Sequence, residues 1–235
     1  LYWQFVDHPE GYIVDLKIRI GALFGALSVV ASVQAGTGVA LDIGSTGVGA
    51  HVSVPIRSNL NVRFGVNYAK YSTTRDTDDA NYALDLQLKT VDALVDYFPG
   101  DSRFRISGGA VYNGNQFDTR AKPANGSVYT LNNNTYPAST AGTIDGTVDF
   151  HKVAPYFGIG WGNAAAAPGW GFTADLGVLF QGSPNSTLGN RGCTAASAIC
   201  ARLASDLVAE NLKLKDEMKD FKFYPVVRAG VSYSF

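Results

Sequence analysis

The chain has 235 residues, 46% of them hydrophobic and only 17% charged, with 26 glycines, 12% aromatic side chains and a formal charge of −1. Charged content below the roughly 25% of soluble domains, together with abundant glycine, argues against a disordered chain, a coiled coil or a highly soluble helical domain. Downstream of residue 35 no apolar run reaches the about 18 residues of a membrane helix, and balanced charge without a Lys/Arg cluster leaves no electrostatic footprint for nucleic acid.

At the N-terminus, Lys17 and Arg19 precede a continuous apolar stretch from Ile20 to Val33, and Val33-Gln34-Ala35 supplies small residues where a signal peptidase cuts. The expectation is a secretory signal peptide cleaved after Ala35, with residues 1–35 outside the fold and residues 36–235 forming one domain. Leu1 is not Met, and Asp7, Glu10 and Asp15 put acids where a basic segment belongs, so the start of translation is expected at Leu16. Without the first 35 residues the chain is formally neutral.

From there the sequence alternates with a period of two, the mark of strands with two unlike faces. Val39 to Ile43, followed by a Gly44 to Gly47 turn, opens the series. Val48, Ala50, Val52, Val54 and Ile56 alternate with Gly49, His51 and Ser53, and Val62, Phe64, Val66 and Tyr68 alternate with Arg63, Gly65 and Asn67. Leu84, Leu86 and Leu88 begin another strand, but the apolar phase then shifts to Val91, Ala93, Val95 and Tyr97, which points to a bulge near Thr90. Phe104 to Tyr112, Val153 to Trp161, Trp170 to Phe180 and Val227 to Phe235 complete the set.

A soluble sandwich would carry Lys and Glu on its solvent face. Here the less apolar face holds Gly, Ser, Asn and isolated charges of both signs, as the crowded interior of a narrow closed barrel would with lipid outside. Tyr71, Tyr97, Phe98, Tyr112, Trp161, Trp170 and Phe180 fall near strand ends, where interfacial girdles sit. Short turns are expected at Arg57 to Leu60, Pro99 to Ser102 and Asn163 to Pro168, and long connections at Ser72 to Asn81, Phe117 to Gly146 and Gly182 to Asp220. The even strand number of such barrels then gives an all-β, eight-stranded antiparallel transmembrane β-barrel.

In the last long connection, Cys193 and Cys200 are expected to form a disulfide in an oxidising compartment, since no His lies nearby to complete a metal site. Leu203, Leu207, Leu214, Met218 and Phe221 form an apolar stripe at helical spacing, an amphipathic helix entering the last strand. Its simplest role is to pack against its own barrel, with a partner-binding or coiled-coil helix as the alternative; the stripe alone leaves its side of the membrane open.

The chain ends Arg228-Ala229-Gly230-Val231-Ser232-Tyr233-Ser234-Phe235. The polar Arg228, then Gly230, then aromatics at Tyr233 and Phe235 resemble the C-terminal β-signal of bacterial outer-membrane barrels, which their assembly machinery reads. With the signal peptide and the Val153 to Trp161 strand, the chain resembles the small outer-membrane barrels of Gram-negative bacteria, the opacity-protein and OmpW-like group. That resemblance implies an outer-membrane location, contact with outer-membrane lipids and the barrel assembly machinery, and outer loops (Phe117 to Gly146, Gly182 to Asp220) that meet surface ligands or host structures or support the envelope. It implies no enzymatic activity, cofactor or metal; its OmpW-like side implies a narrow channel for small hydrophobic solutes.

His51 and Ser53 share the inward face, a pair that resembles the His, Ser and acid of lipid A deacylase barrels and keeps a lipid-modifying enzyme as a further alternative. That family's pair, however, lies late in its chain and faces lipid. His151 reads as a histidine at the edge of an outer loop. Asp42, Arg63, Asp85, Lys89, Asp96, Arg105, Asp175 and Arg228 are expected to face inward as an ion-pair network, because eight strands leave an interior only wide enough for side chains. No Walker pattern, zinc spacing or dinucleotide fingerprint occurs.

Overall fold

A computed structural model describes residues 36–76, 80–100, 102–123 and 128–235; the expected signal peptide lies outside the described residues. In chain order the elements are β1 (Gly38–Gly44), β2 (Gly47–Arg57), β3 (Leu60–Asp76), β4 (Ala80–Tyr97), β5 (Phe104–Asn113), β6 (Gln116–Pro123), β7 (Val128–Leu131), β8 (Asn134–Pro137) and α1 (Ala138–Ala141). They continue as β9 (Thr143–Asp149), β10 (Val153–Trp161), β11 (Gly169–Phe180), β12 (Asn185–Arg191), α2 (Ser197–Met218) and β13 (Phe223–Ser234).

Eight of these strands close a barrel in the order β1-β2-β3-β4-β5-β10-β11-β13, with β13 returning to β1. Each strand expected from the alternation is present, and every pair is antiparallel. The alternation is inverted relative to a soluble protein: Leu41, Ile43, Phe64, Phe157 and Phe172 are exposed on the outside, whereas His51, Arg63, Asp92 and Arg228 are buried within. A continuous outward apolar band around a closed sheet is a lipid-facing surface. Trp170, Tyr233 and Phe235 stack edge to face along one rim, with ring centroids 5.3 and 5.1 Å apart.

Both ends of the barrel chain meet at that rim, where the Gly36 N–H donates to the Phe235 carbonyl and the Phe235 N–H to the Thr37 carbonyl. Its connections are short there, and the long ones emerge from the opposite rim. In barrels of this class that asymmetry assigns the chain ends to the periplasmic side.

The outer rim is lopsided. β4 pairs with β5 from Thr90 to Tyr97 and with β6 from Ala80 to Gln87, and the register carries straight through: Thr90 faces Asn113 and Gln87 faces Gln116. β5 and β6 are therefore one strand interrupted at Gly114 and Asn115. β9 and β10 are related in the same way, since Tyr112 faces Val153 and Gln116 faces Asp149. The result is a wall of β3, β4, β6, β9 and β12 rising above one side of the barrel, while β1 and β2 turn back at Ser45-Thr46.

Three expectations need correction. Phe98, expected in an interfacial girdle, is buried and lines the lumen cavity. The segment from Ser72 to Asn81 is largely strand, paired from Leu60–Tyr97 to Asp76–Asn81. There is no bulge at Thr90, because the β3–β4 register is unbroken on both sides of the Asn67–Thr90 pair. Asp85 and Lys89 accordingly keep the outward parity of Val91 and Val95 and do not enter the lumen.

The helical stripe docks on this wall. Leu203 and Leu207 of α2 pack with Leu131, Tyr136 and Ala141, against Tyr129, Ile144 and Leu188. Ile144 keeps the parity of the lumen-facing Ala154 and Tyr156, so α2 and the β7–β8 hairpin lie on the inner side of the wall, above the barrel mouth. Phe221 lies beyond the helix end and is 65% exposed.

Candidate functional site

The barrel interior holds two ionic clusters. In the periplasmic half, Arg63 on β3 donates through Nη1 to Oδ2 of Asp175 at 2.8 Å and through Nη2 to Oδ1 of Asp96 at 3.1 Å. Arg105 on β5 reaches the other Asp175 oxygen at 2.8 Å, Thr173 Oγ1 at 2.9 Å and the carbonyls of Trp161 and Gly162. Ser107 donates to Asp96 at 2.5 Å. Two guanidinium groups thus face two carboxylates, and alternation alone places all four side chains inward.

Nearer the outer mouth, His51 Nδ1 lies 2.6 Å from Asp42 Oδ2 and Nε2 lies 3.1 Å from Asp92 Oδ2. Arg228 reaches the same Asp92 oxygen at 2.9 Å and, through Nε, Thr46 Oγ1 at 3.0 Å. Asn67 donates to Asp92 and to Thr90, both at 3.0 Å. The ring has room because Gly65 faces it: a Cβ there would lie 1.9 Å from His51 Cδ2. Beside this cluster Leu94, Val111, Ala154, Tyr156, Leu179 and Val226 form an apolar layer across the rest of the lumen.

The inward charged set is therefore Asp42, Arg63, Asp96, Arg105, Asp175 and Arg228 as expected, without Asp85 and Lys89 and with Asp92 added, and His51, expected on the inward face, joins the ionic network. Asp92 was open to sequence reasoning, since it sits between Val91 and Ala93 as Asp96 sits between Val95 and Tyr97.

His51 and Ser53 are both buried, yet each imidazole nitrogen faces a carboxylate. Nε2 also has the Arg228 guanidinium at 3.3 Å, and among the described residues no hydrogen bond joins the ring to Ser53. The pair also faces the lumen instead of lipid. It works as a structural bridge between β1, β2 and β4. A cavity between the two clusters, lined by Asp42, His51, Ser53, Arg63 and Arg105, has room for about one water molecule.

On the extramembrane wall, Asp145 accepts from Arg191 at 2.6 Å and from Arg120 at 2.9 Å, and these cations, Arg191 foremost, hold its carboxyl below the usual range. Asp206 on α2 accepts from Tyr136, from Asn134 at 2.8 Å and from Asn132 at 3.1 Å, pinning the helix to the β7–β8 hairpin. Tyr136 first and Asn132 next lower the Asp206 pKa. The sulfurs of Cys193 and Cys200 are bonded at the start of α2, with Cα atoms 6.0 Å apart. Among the described residues no group of His, Cys, Asp and Glu side chains is arranged to hold a metal ion.

The crystal structure of CarO from Acinetobacter baumannii matches with a TM-score of 0.54 at 23% identity, covering 84% of this chain and 97% of that one. The A. baumannii CarO2 crystal structure matches with a TM-score of 0.55 at 20% identity, covering 85% of this chain and 98% of that one. The fold is that of a small Gram-negative outer-membrane β-barrel. No family model and no curated protein matches the chain.

Proposed function

We propose that the protein is a non-enzymatic barrel of the bacterial outer membrane that acts through its outer surface and as a structural element of the envelope. The observation that carries this reading is the filled lumen: the Arg63–Asp175–Arg105 cluster, the Asp42–His51–Asp92–Arg228 cluster and the apolar layer beside it occupy the cross-section. At both levels each guanidinium has a carboxylate within 3 Å, so no free charge lines the path of a solute. Exposed polar surface is concentrated instead on the wall and the α2 cap, the segments read from sequence as outer loops. Contact with surface ligands or host structures belongs to these segments.

The terminal residues support recognition by the barrel assembly machinery. Tyr233 and Phe235 face outward at the periplasmic rim, Gly230 lies where a Cβ would meet the Leu41 carbonyl, and Arg228 faces the lumen. Membership in the opacity-protein and OmpW-like group belongs to the same reading. Solute uptake by proteoliposomes tests it. Uptake no faster than in empty liposomes is expected; rapid uptake of a small hydrophobic solute would establish the channel reading instead.

A further inference from the structure

The unbroken register that carries Lys89 outward also builds a basic notch just above the lipid belt. Along the outer edge of that belt stand Val66, Val91, Tyr112 and Val153, all exposed. One step further out, Lys89 lies opposite Tyr68 on β3, and on its other side the Gly114 N–H donates to the Lys89 carbonyl at 2.8 Å. Lys70, two residues beyond Tyr68 and diagonal to Lys89, places a second ammonium stem about 7 Å away. Both lysines are exposed, and among the described residues neither has an ion-pair partner.

Gly114 leaves the notch open. A Cβ there would stand 3.6 Å from Lys89 Cβ and 3.7 Å from Tyr112 Cε1, so the missing side chain exposes a recess floored by backbone and edged by an aromatic ring. Exposed His151 and Lys152 follow one strand further round. The next outward row contains Gln87, Gln116 and Asp149 in adjacent register. Three carboxylates stand above the notch: Asp85, which accepts from Ser72, Asp118, which accepts from Thr147 at 2.7 Å and from Gln116 at 2.9 Å, and Asp149, two residues before His151.

We infer that Lys70 and Lys89 bind a phosphate group of a phosphorylated glycolipid in the outer leaflet. Two ammonium groups converge on the phosphate, Tyr112 packs beneath it against the acyl region, and Gln87, Gln116 and Asp149 face the height of sugar hydroxyls. The inference rests on the outer-membrane reading, because only that reading puts a lipid headgroup at this height.

The test is lipid binding by the folded full-length barrel in phosphatidylcholine nanodiscs, titrated with lipid A, with dephosphorylated lipid A and with inorganic phosphate as competitor. Lys70→Gln/Lys89→Gln should bind lipid A about 30-fold more weakly at low salt, from about 1 kcal/mol per lysine. Dephosphorylated lipid A should bind wild type as weakly, and the double variant should not discriminate the two lipids. Equal affinity of wild type and variant, or of the two lipids for wild type, overturns the inference. Displacement by millimolar inorganic phosphate overturns its commitment to a lipid. A chain that stays out of nanodiscs and shows no heat-dependent gel shift removes the outer-membrane reading, and the inference with it.

Discussion

Asp175 bridges Arg63 and Arg105, accepting from each at 2.8 Å through a different carboxylate oxygen. The bridge ties β3 and β5 to β11 across the lumen, three strands that share no ladder with one another. Removing one partner leaves an uncompensated buried charge, at a cost of about 3–5 kcal/mol. Asp175→Ala should lower unfolding free energy in detergent by about that much, read from the urea midpoint of the heat-dependent gel shift. A change under about 1 kcal/mol would mean that Asp175 does not hold the cluster together.

The His51 bridge separates structure from catalysis. His51→Gln cannot reach both Asp42 and Asp92 as the imidazole does, so it should destabilise the barrel by about 3 kcal/mol while leaving cellular lipid A and phospholipid profiles unchanged. An altered lipid profile that depends on both His51 and Ser53 would reinstate a lipid-modifying activity.

Docking of α2 should depend on pH with a defined sign. The Asp206 carboxyl is held below its ordinary value by Tyr136, Asn132 and Asn134. A depressed folded-state pKa contributes stability that is fully present above the unfolded value of about 3.9 and lost as pH falls through the folded value. Opening free energies from hydrogen exchange, compared across pH, should be flat in α2 and the β7–β8 hairpin between about pH 7 and 5 and fall below about pH 4. Asp206→Asn should flatten the acid limb; an unchanged limb would place the titrating group elsewhere.

The Cys193–Cys200 bond closes a short loop at the start of α2. Reduction should weaken the cap by about 2–3 kcal/mol, seen as faster exchange in the first turns of α2, with the barrel's gel shift intact. Loss of the gel shift on reduction would show the cap to be part of barrel stability.

Period-two alternation reports a contrast between two environments, and inside the bilayer that contrast is strong. Phe157, Ile159 and Trp161 against Tyr156, Gly158 and Gly160 therefore read as a strand at once. Above the bilayer the contrast reverses: the inner side of the wall becomes the apolar one, and Leu86 pairs with Phe117 there. The Leu84, Leu86, Leu88 phase change is thus a strand leaving lipid, although in sequence it has the form of a bulge. In β6, Asp118, Thr119 and Arg120 give little contrast between faces, and that stretch reads as loop. The interior charges were mostly accessible through parity; Lys89 and Asp85 were displaced only by the bulge that the register does not contain.

Two ionic clusters and an apolar layer fill the lumen. Recording single-channel currents from the purified, folded protein in planar bilayers tests this most directly. A baseline indistinguishable from protein-free membranes is expected for the wild type, with Arg63→Ala/Arg105→Ala, which removes both guanidinium groups of the periplasmic cluster, producing discrete openings. Stable unitary conductance steps from the wild-type barrel would contradict a filled lumen.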